Sequence, residues 1–154
     1  NSLWVAIAEK AFAFYRKNAA SYASIENGWS IEVNRAFGST RAGESGFAAF
    51  GNAVALGNAI ANAWNSFEAV TVGFSNDAKK AASNTSPLIL GHMYTVAGLV
   101  RSASGVITGI KLRNPWGTDG GKVTTGNPND GYIEVTLQQL WDVSSIGRIN
   151  WGRV

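Results

Sequence analysis

Apolar positions recur at helical spacing from the start of the chain. Leu3, Trp4, Ile7, Ala8, Ala11, Phe12 and Tyr15 fall on one stripe and predict a helix over residues 3–17. Ser2 is placed to cap its N-terminus, and Arg16 and Lys17 stand where the C-terminal end of a helix dipole favours cations. A short second helix is predicted from Ser30 to Phe37, stopped by Gly38. No charge occurs between Ser45 and Phe67, a stretch long enough to consider as a membrane span. On a helical wheel, however, Ala53, Leu56, Ile60, Trp64 and Phe67 share one face while Asn58, Asn62 and Asn65 lie opposite. With Asn52 as a fourth amide, that pattern predicts an amphipathic helix and no membrane span.

Beyond this helix the period changes to two. Val70, Val72 and Phe74 alternate with Thr71, Gly73 and Ser75, which predicts a strand. Lys79 to Pro87 reads as a polar loop. Tyr94 to Val100 and Val106 to Leu112 are two further strands, joined by residues 101–105. Thr118 to Asp130 is a Gly-rich loop ahead of a strand from Tyr132 to Val135. Thr136 and Gln139 have capping-box spacing before Leu137, Leu140 and Trp141, so a short helix follows. Arg148 to Val154 adds a last strand. Helices first and strands later imply an α+β fold with an antiparallel sheet, in one domain over residues 1–154.

Composition narrows the function classes. Apolar residues make up 45% of the chain and charged ones 15%, a globular balance rather than that of a disordered tail. The formal charge is +3 from scattered Lys and Arg, without the clustering and interleaved aromatics of a nucleic-acid footprint. The chain holds no cysteine, which excludes disulfides, thiolate metal sites and thiol catalysis by this chain alone. A zinc site would have to lean on carboxylates beside the single histidine, and no HExxH-type spacing exists. Asn1-Ser2 leads straight into the helical pattern with nothing like a signal peptide, so the chain reads as a processed product or a cut piece. The compartment stays open, because a chain without cysteine fits either redox setting; the Asn-, Ala- and Gly-rich composition looks bacterial, and a secreted or cell-surface location is favoured.

The single histidine acquires a partner from the strand pairing. If the hairpin turn centres on Ala103, His92 and Asn114 stand eleven residues to either side of it and face each other at the open end. Directly opposed side chains in an antiparallel pair have Cβ atoms about 4.5–5.5 Å apart. The Asn carbonyl would then accept from one imidazole N–H, fix the tautomer, and leave the other ring nitrogen for a nucleophile. The expectation depends on register, which one slip would break. A lone histidine on a strand is more often a satisfied structural residue, and Asn-Pro is an ordinary strand-ending turn. Spacing alone leaves both open.

The local sequences carry a family resemblance. Gly91-His92-Met93-Tyr94 and Asn114-Pro115-Trp116-Gly117 resemble the Gly-His-Ala-Tyr and Asn-Pro-Trp-Gly motifs of calpain-type cysteine proteases in the papain superfamily. Asp130-Gly131-Tyr132-Ile133-Glu134-Val135 is similar to the Gly-Tyr strand that follows in papain-like enzymes. Upstream, residues 3–13 are similar to the Trp-x-x-Leu-x-Glu-Lys-Ala-Tyr-Ala helix of calpains. Ser21-Tyr22 and Asn27-Gly28-Trp29 resemble their Tyr-Glu-Ala-Leu-x-Gly-Gly segment. These matches run in the family's order from residue 3 to about residue 145.

The resemblance implies the C-terminal, His/Asn-bearing subdomain of a papain-like protease fold. It makes His92 the general base and acid, Asn114 its orienting partner, and Trp116 a cover over their hydrogen bond. Gly91 and Gly28 would pair with extended substrate through their backbones. The nucleophilic cysteine would come from a partner subdomain, an upstream segment or a separate chain left by autoprocessing, roughly 40–60 residues before Asn1. The other partner is a polypeptide substrate; neither nucleic acid nor membrane is expected. No cofactor is expected either. Calpains use calcium, but the loop from Thr118 to Asp130 offers only Asp119 and Asp130. Two other functions stay open: a pseudo-protease or inhibitory, peptide-binding module that keeps half the site, and a generic peptide-binding sheet edge.

Overall fold

The stripe of residues 3–17 forms a helix, α1 (Leu3–Lys17), with Arg16 and Lys17 in its last turn. The computed structural model describes residues 3–19, 21, 23, 28–120 and 128–153; Ser2, Tyr22, Asn27, Val154 and most of the Gly-rich loop lie outside the described residues. Much of the predicted apolar stripe of α1 faces solvent, with Leu3, Ile7 and Tyr15 exposed and Phe14 beside them. Among the described residues of α1, Ala13 is buried and Arg16 forms an ion pair of 2.7 Å with Glu32 of α2 (Ser30–Ala36). Gly38, at φ +78°, follows α2 as expected.

Ahead of the uncharged helix, Gly43–Gly46 forms an edge strand, β1, that the apolar pattern did not reveal. The helix itself, α3 (Ala53–Asn65), is capped by Asn52, whose side chain accepts from the Ala55 N–H at 2.9 Å. Leu56 and Ile60 point into the core while Asn58, Asn62 and Asn65 face solvent, as the wheel requires. Phe67 does not share that face. The helix ends before it, its φ is +58°, and it is 87% exposed, so it belongs to the turn. No helix among the described residues is long and apolar enough to cross a membrane.

The strand from Val70 to Phe74 is β2 (Ala69–Phe74). The expected polar loop after it contains a short helix, α4 (Ala78–Ser83). Asp77 caps it by accepting from the Lys80 N–H, a local device that an apolar-periodicity search passes over. Then come β3 (Met93–Arg101), β4 (Ile107–Arg113), β5 (Tyr132–Thr136), α5 (Leu137–Asp142) and β6 (Gly147–Gly152). The Thr136–Gln139 capping box is present at α5. Among the described residues the six strands form one antiparallel sheet in the order β1-β6-β2-β3-β4-β5, which makes the fold α+β.

The core lies between one sheet face and the pair α3 and α5. Val70, Val72 and Phe74 meet Tyr94, Val96, Ile110, Leu112, Ile133, Val135 and Ile149 there, closed over by Leu56, Ile60, Leu137 and Leu140. Phe47, on a short 3-10 turn after β1, is fully buried among them. The opposite face carries α2: Trp29, at its N-cap, lies with Met93 against the bare Cα of Gly73.

The β3–β4 register differs from the one a turn on Ala103 would give. Ser102 N–H donates to Val106 O, and Arg101 pairs with Ile107, so the turn centres on Ser104 and the partner of Arg101 moves by two positions. Two bulges follow, an extra Ala97 on β3 and an extra Thr108 on β4. Their offsets cancel, so at the open end Val96 faces Leu112 and Thr95 faces Arg113. Because the side-chain period is two, a displacement of two preserves the face.

Candidate active site

His92 immediately precedes β3 and Asn114 immediately follows β4, so both stand just past the open end of the hairpin. Directly opposed they are not, as the register shows. They nevertheless share the core-facing alternation of Tyr94 and Leu112, and His92 Nε2 lies 2.9 Å from Asn114 Oδ1. Trp116 N–H donates to the same Oδ1 at 3.1 Å. A backbone N–H can only donate, so that side-chain atom is the carbonyl oxygen, which can only accept. Nε2 must therefore carry the hydrogen, and Nδ1 keeps its lone pair.

Burial differs sharply across the group. Asn114 is 0% exposed, its N–H donates to Gly131 O at 2.7 Å, and its Nδ2 has no partner among the described residues. An unpaired buried amide opposes folding by about 1–3 kcal/mol. Trp116 is 60% exposed, yet its ring centroid stands 4.2 Å from that of His92 at 39°. Tyr94 meets the imidazole edge-on at 5.0 Å. Two rings and one amide thus restrain the imidazole.

Tyr94 is buried, with its hydroxyl oxygen accepting the Ile89 N–H at 2.9 Å. Burial raises its phenol above the ordinary value of 10.0, and the Ile89 N–H acts in the opposite sense. The unfolded chain therefore loses this proton first as pH rises. Stability from this group is fully present below pH of about 10 and is lost as pH climbs through the raised value. Urea midpoints of the wild type should accordingly fall between pH 8 and pH 11 by more than those of Tyr94→Phe. Equal falls would show that Tyr94 does not govern alkaline stability.

Gly28, Trp29, Phe74, Gly91, His92 and Met93 line one open groove of about 600 Å³. The structure thus brings Gly28 and Gly91 to the same groove as His92, with Asn114 and Trp116 against the imidazole. Gly91 has φ +72°, where a side chain would be strained. At Gly28 a side chain would press on the Arg16–Glu32 pair. Sequence reasoning missed Trp29 and Met93 as groove residues. Met93 was findable, since strand alternation between His92 and Tyr94 sends it to the opposite face. Trp29 was not, because its placement depends on Gly73 and on Arg148, whose guanidinium stands 5.5 Å from the Trp29 ring.

A model of the calpain family cysteine proteases matches residues 1–130, most of the chain. The matched span takes in His92, Asn114 and Trp116 and stops before β5. No curated protein matches the chain.

Proposed function

The chain belongs to the calpain family of cysteine proteases, and from that premise we propose that it supplies the general base and its orienting partner to a cysteine carried outside residues 1–154. The observation that supports this most is the shared acceptor: Asn114 Oδ1 takes both His92 Nε2–H and Trp116 N–H, which leaves the lone pair of Nδ1 for a thiol. Nδ1 accepts the thiol proton, giving a thiolate–imidazolium pair. The sulfur attacks the scissile carbonyl carbon, and the imidazolium returns the proton to the departing amine nitrogen. Water, deprotonated by the same nitrogen, then releases the acyl group as a carboxylic acid and restores the thiol.

Gly28 and Gly91 are the backbone contacts for extended peptide in this proposal, beside His92 in the groove. The exposed apolar residues of α1 support a fold completed by a further segment, since Leu3, Ile7, Phe14 and Tyr15 lie along one helix. No step runs through calcium. The carboxylates of Asp119 and Asp130 are turned onto the backbone N–H groups of Gly131 and Tyr132, a poor fit to a shared cation. A second function, a peptide-binding or inhibitory module without catalysis, is favoured by the lack of cysteine.

Intact-mass spectrometry of the native protein, before and after a peptidyl epoxide, separates the two. We expect a cysteine-bearing segment or second chain to gain one inhibitor mass. A native protein of 16.3 kDa that stays unlabelled would overturn the protease and leave the binding module.

A further inference from the structure

Asn114 presents its carbonyl to His92 from just beyond the β4 ladder. Its main chain is held by Gly131, whose carbonyl accepts the Asn114 N–H at 2.7 Å. Gly131 is held in turn by Asp119, whose Oδ1 accepts the Gly131 N–H at 2.8 Å. Asp119 is fully buried, and its own N–H donates to Asn129 Oδ1 at 2.7 Å. Gly131 sits at φ +84°, and a Cβ there would stand 2.8 Å from the Gly117 carbonyl carbon. The Gly117 N–H closes the circuit by donating to Asn114 O at 3.1 Å. The segments on either side of the Gly-rich loop are thus clamped together directly behind Asn114.

From this we infer that Asp119 is a positioning residue: its buried carboxylate, acting through Gly131, sets where Asn114 holds the imidazole of His92. The inference rests on the role proposed above for the His92–Asn114 pair. A carboxylate on a backbone N–H is a charge-assisted bond, stronger than a neutral one. Removing it would leave the Gly131 N–H unpaired in a buried place. The segment would then shift toward another acceptor and carry the Asn114 N–H with it. Asp119→Asn keeps an oxygen at the same position and should keep the clamp.

The single histidine makes the test direct, because within residues 1–154 every imidazole ¹⁵N signal belongs to His92. At pH of about 8, where an ordinary histidine is neutral, one fixed tautomer gives Nδ1 and Nε2 signals far apart, and tautomer exchange draws them together. Asn114→Ala removes the acceptor and should bring the signals together. Asp119→Ala should do so to a comparable degree, while Asp119→Asn should stay near wild type. A folded Asp119→Ala with wild-type separation overturns the inference. Should Asp119→Ala not fold, Asn129→Ala decides: converging signals support the clamp, and unchanged ones overturn it. If Asn114→Ala leaves the signals apart, the pair itself fails and Asp119's role with it. Signals that converge in Asn114→Ala alone overturn only Asp119.

Discussion

Replacing His92 by alanine in the assembled protease should lower kcat/KM by about 10⁴-fold or more, the scale on which single members of such catalytic groups act. The reason is the thiol. An unassisted cysteine has a pKa of about 8.5, and an imidazolium partner in a papain-type site lowers it to roughly 3–4. Without His92 the nucleophile is mostly protonated at neutral pH, and nothing returns a proton to the leaving amine. A fluorogenic peptide assay measures the loss, and the epoxide labelling rate should fall in parallel. Activity within tenfold of wild type would place the base elsewhere. With a single histidine in the chain, that base would then have to come from another segment.

The largest stability effect is expected at Phe47→Ala, about 3–5 kcal/mol. Phe47 is 0% exposed and stands edge-on to Phe74 at 5.8 Å and 86°. Its ring occupies space that exists only because residue 147 is glycine: a Cβ there would lie 2.4 Å from Phe47 Cδ2. The truncated ring would leave a cavity bounded by the β1–β6 edge and α3, where backbone pairing limits collapse. Domains of this kind are stable by only about 5–15 kcal/mol, so a urea titration should show a large drop in midpoint at an unchanged slope. A loss under about 1 kcal/mol would mean that the edge closes over the gap.

Elements with a strong period were legible in the sequence. The wheel of α3, the alternation of β2 and the capping box of α5 each appear where the residues demand them. What escaped was decided by local chemistry or by other parts of the chain. β1, with sequence Gly-Glu-Ser-Gly, has no apolar alternation and exists because β6 pairs with it. Phe67 keeps helical spacing but lies beyond Asn65, in the turn that leads to β2. The stripe of α1 gave the helix but not its surroundings: Leu3, Ile7 and Tyr15 on it are exposed.

The candidate site was legible for a subtler reason. The turn on Ala103 gave the wrong partners for every residue of the hairpin, and still brought His92 toward Asn114, because the error was an even number of residues. Tyr94 and Val96 face the core before the Ala97 bulge and Leu99 after it; Ile107 does so before Thr108, and Ile110 and Leu112 after. No period-two search can anticipate those two changes of phase. Asp119 and Gly131 were invisible as supports of Asn114, since their bonds join segments far apart in the chain.

The paired bulges give this hairpin slack in length. Each takes up one extra residue without moving the pairs on either side of it, so Val96 and Leu99 both face the core across Ala97, as Ile107 and Ile110 do across Thr108. Losing Ala97 alone would return β3 to plain alternation with His92 still on the side of Asn114. Losing a second residue from the same strand would exhaust that slack and put part of it on the wrong side of the sheet. Single changes of length at the two bulges are therefore the ones this hairpin can absorb while its His92–Asn114 end stays in phase.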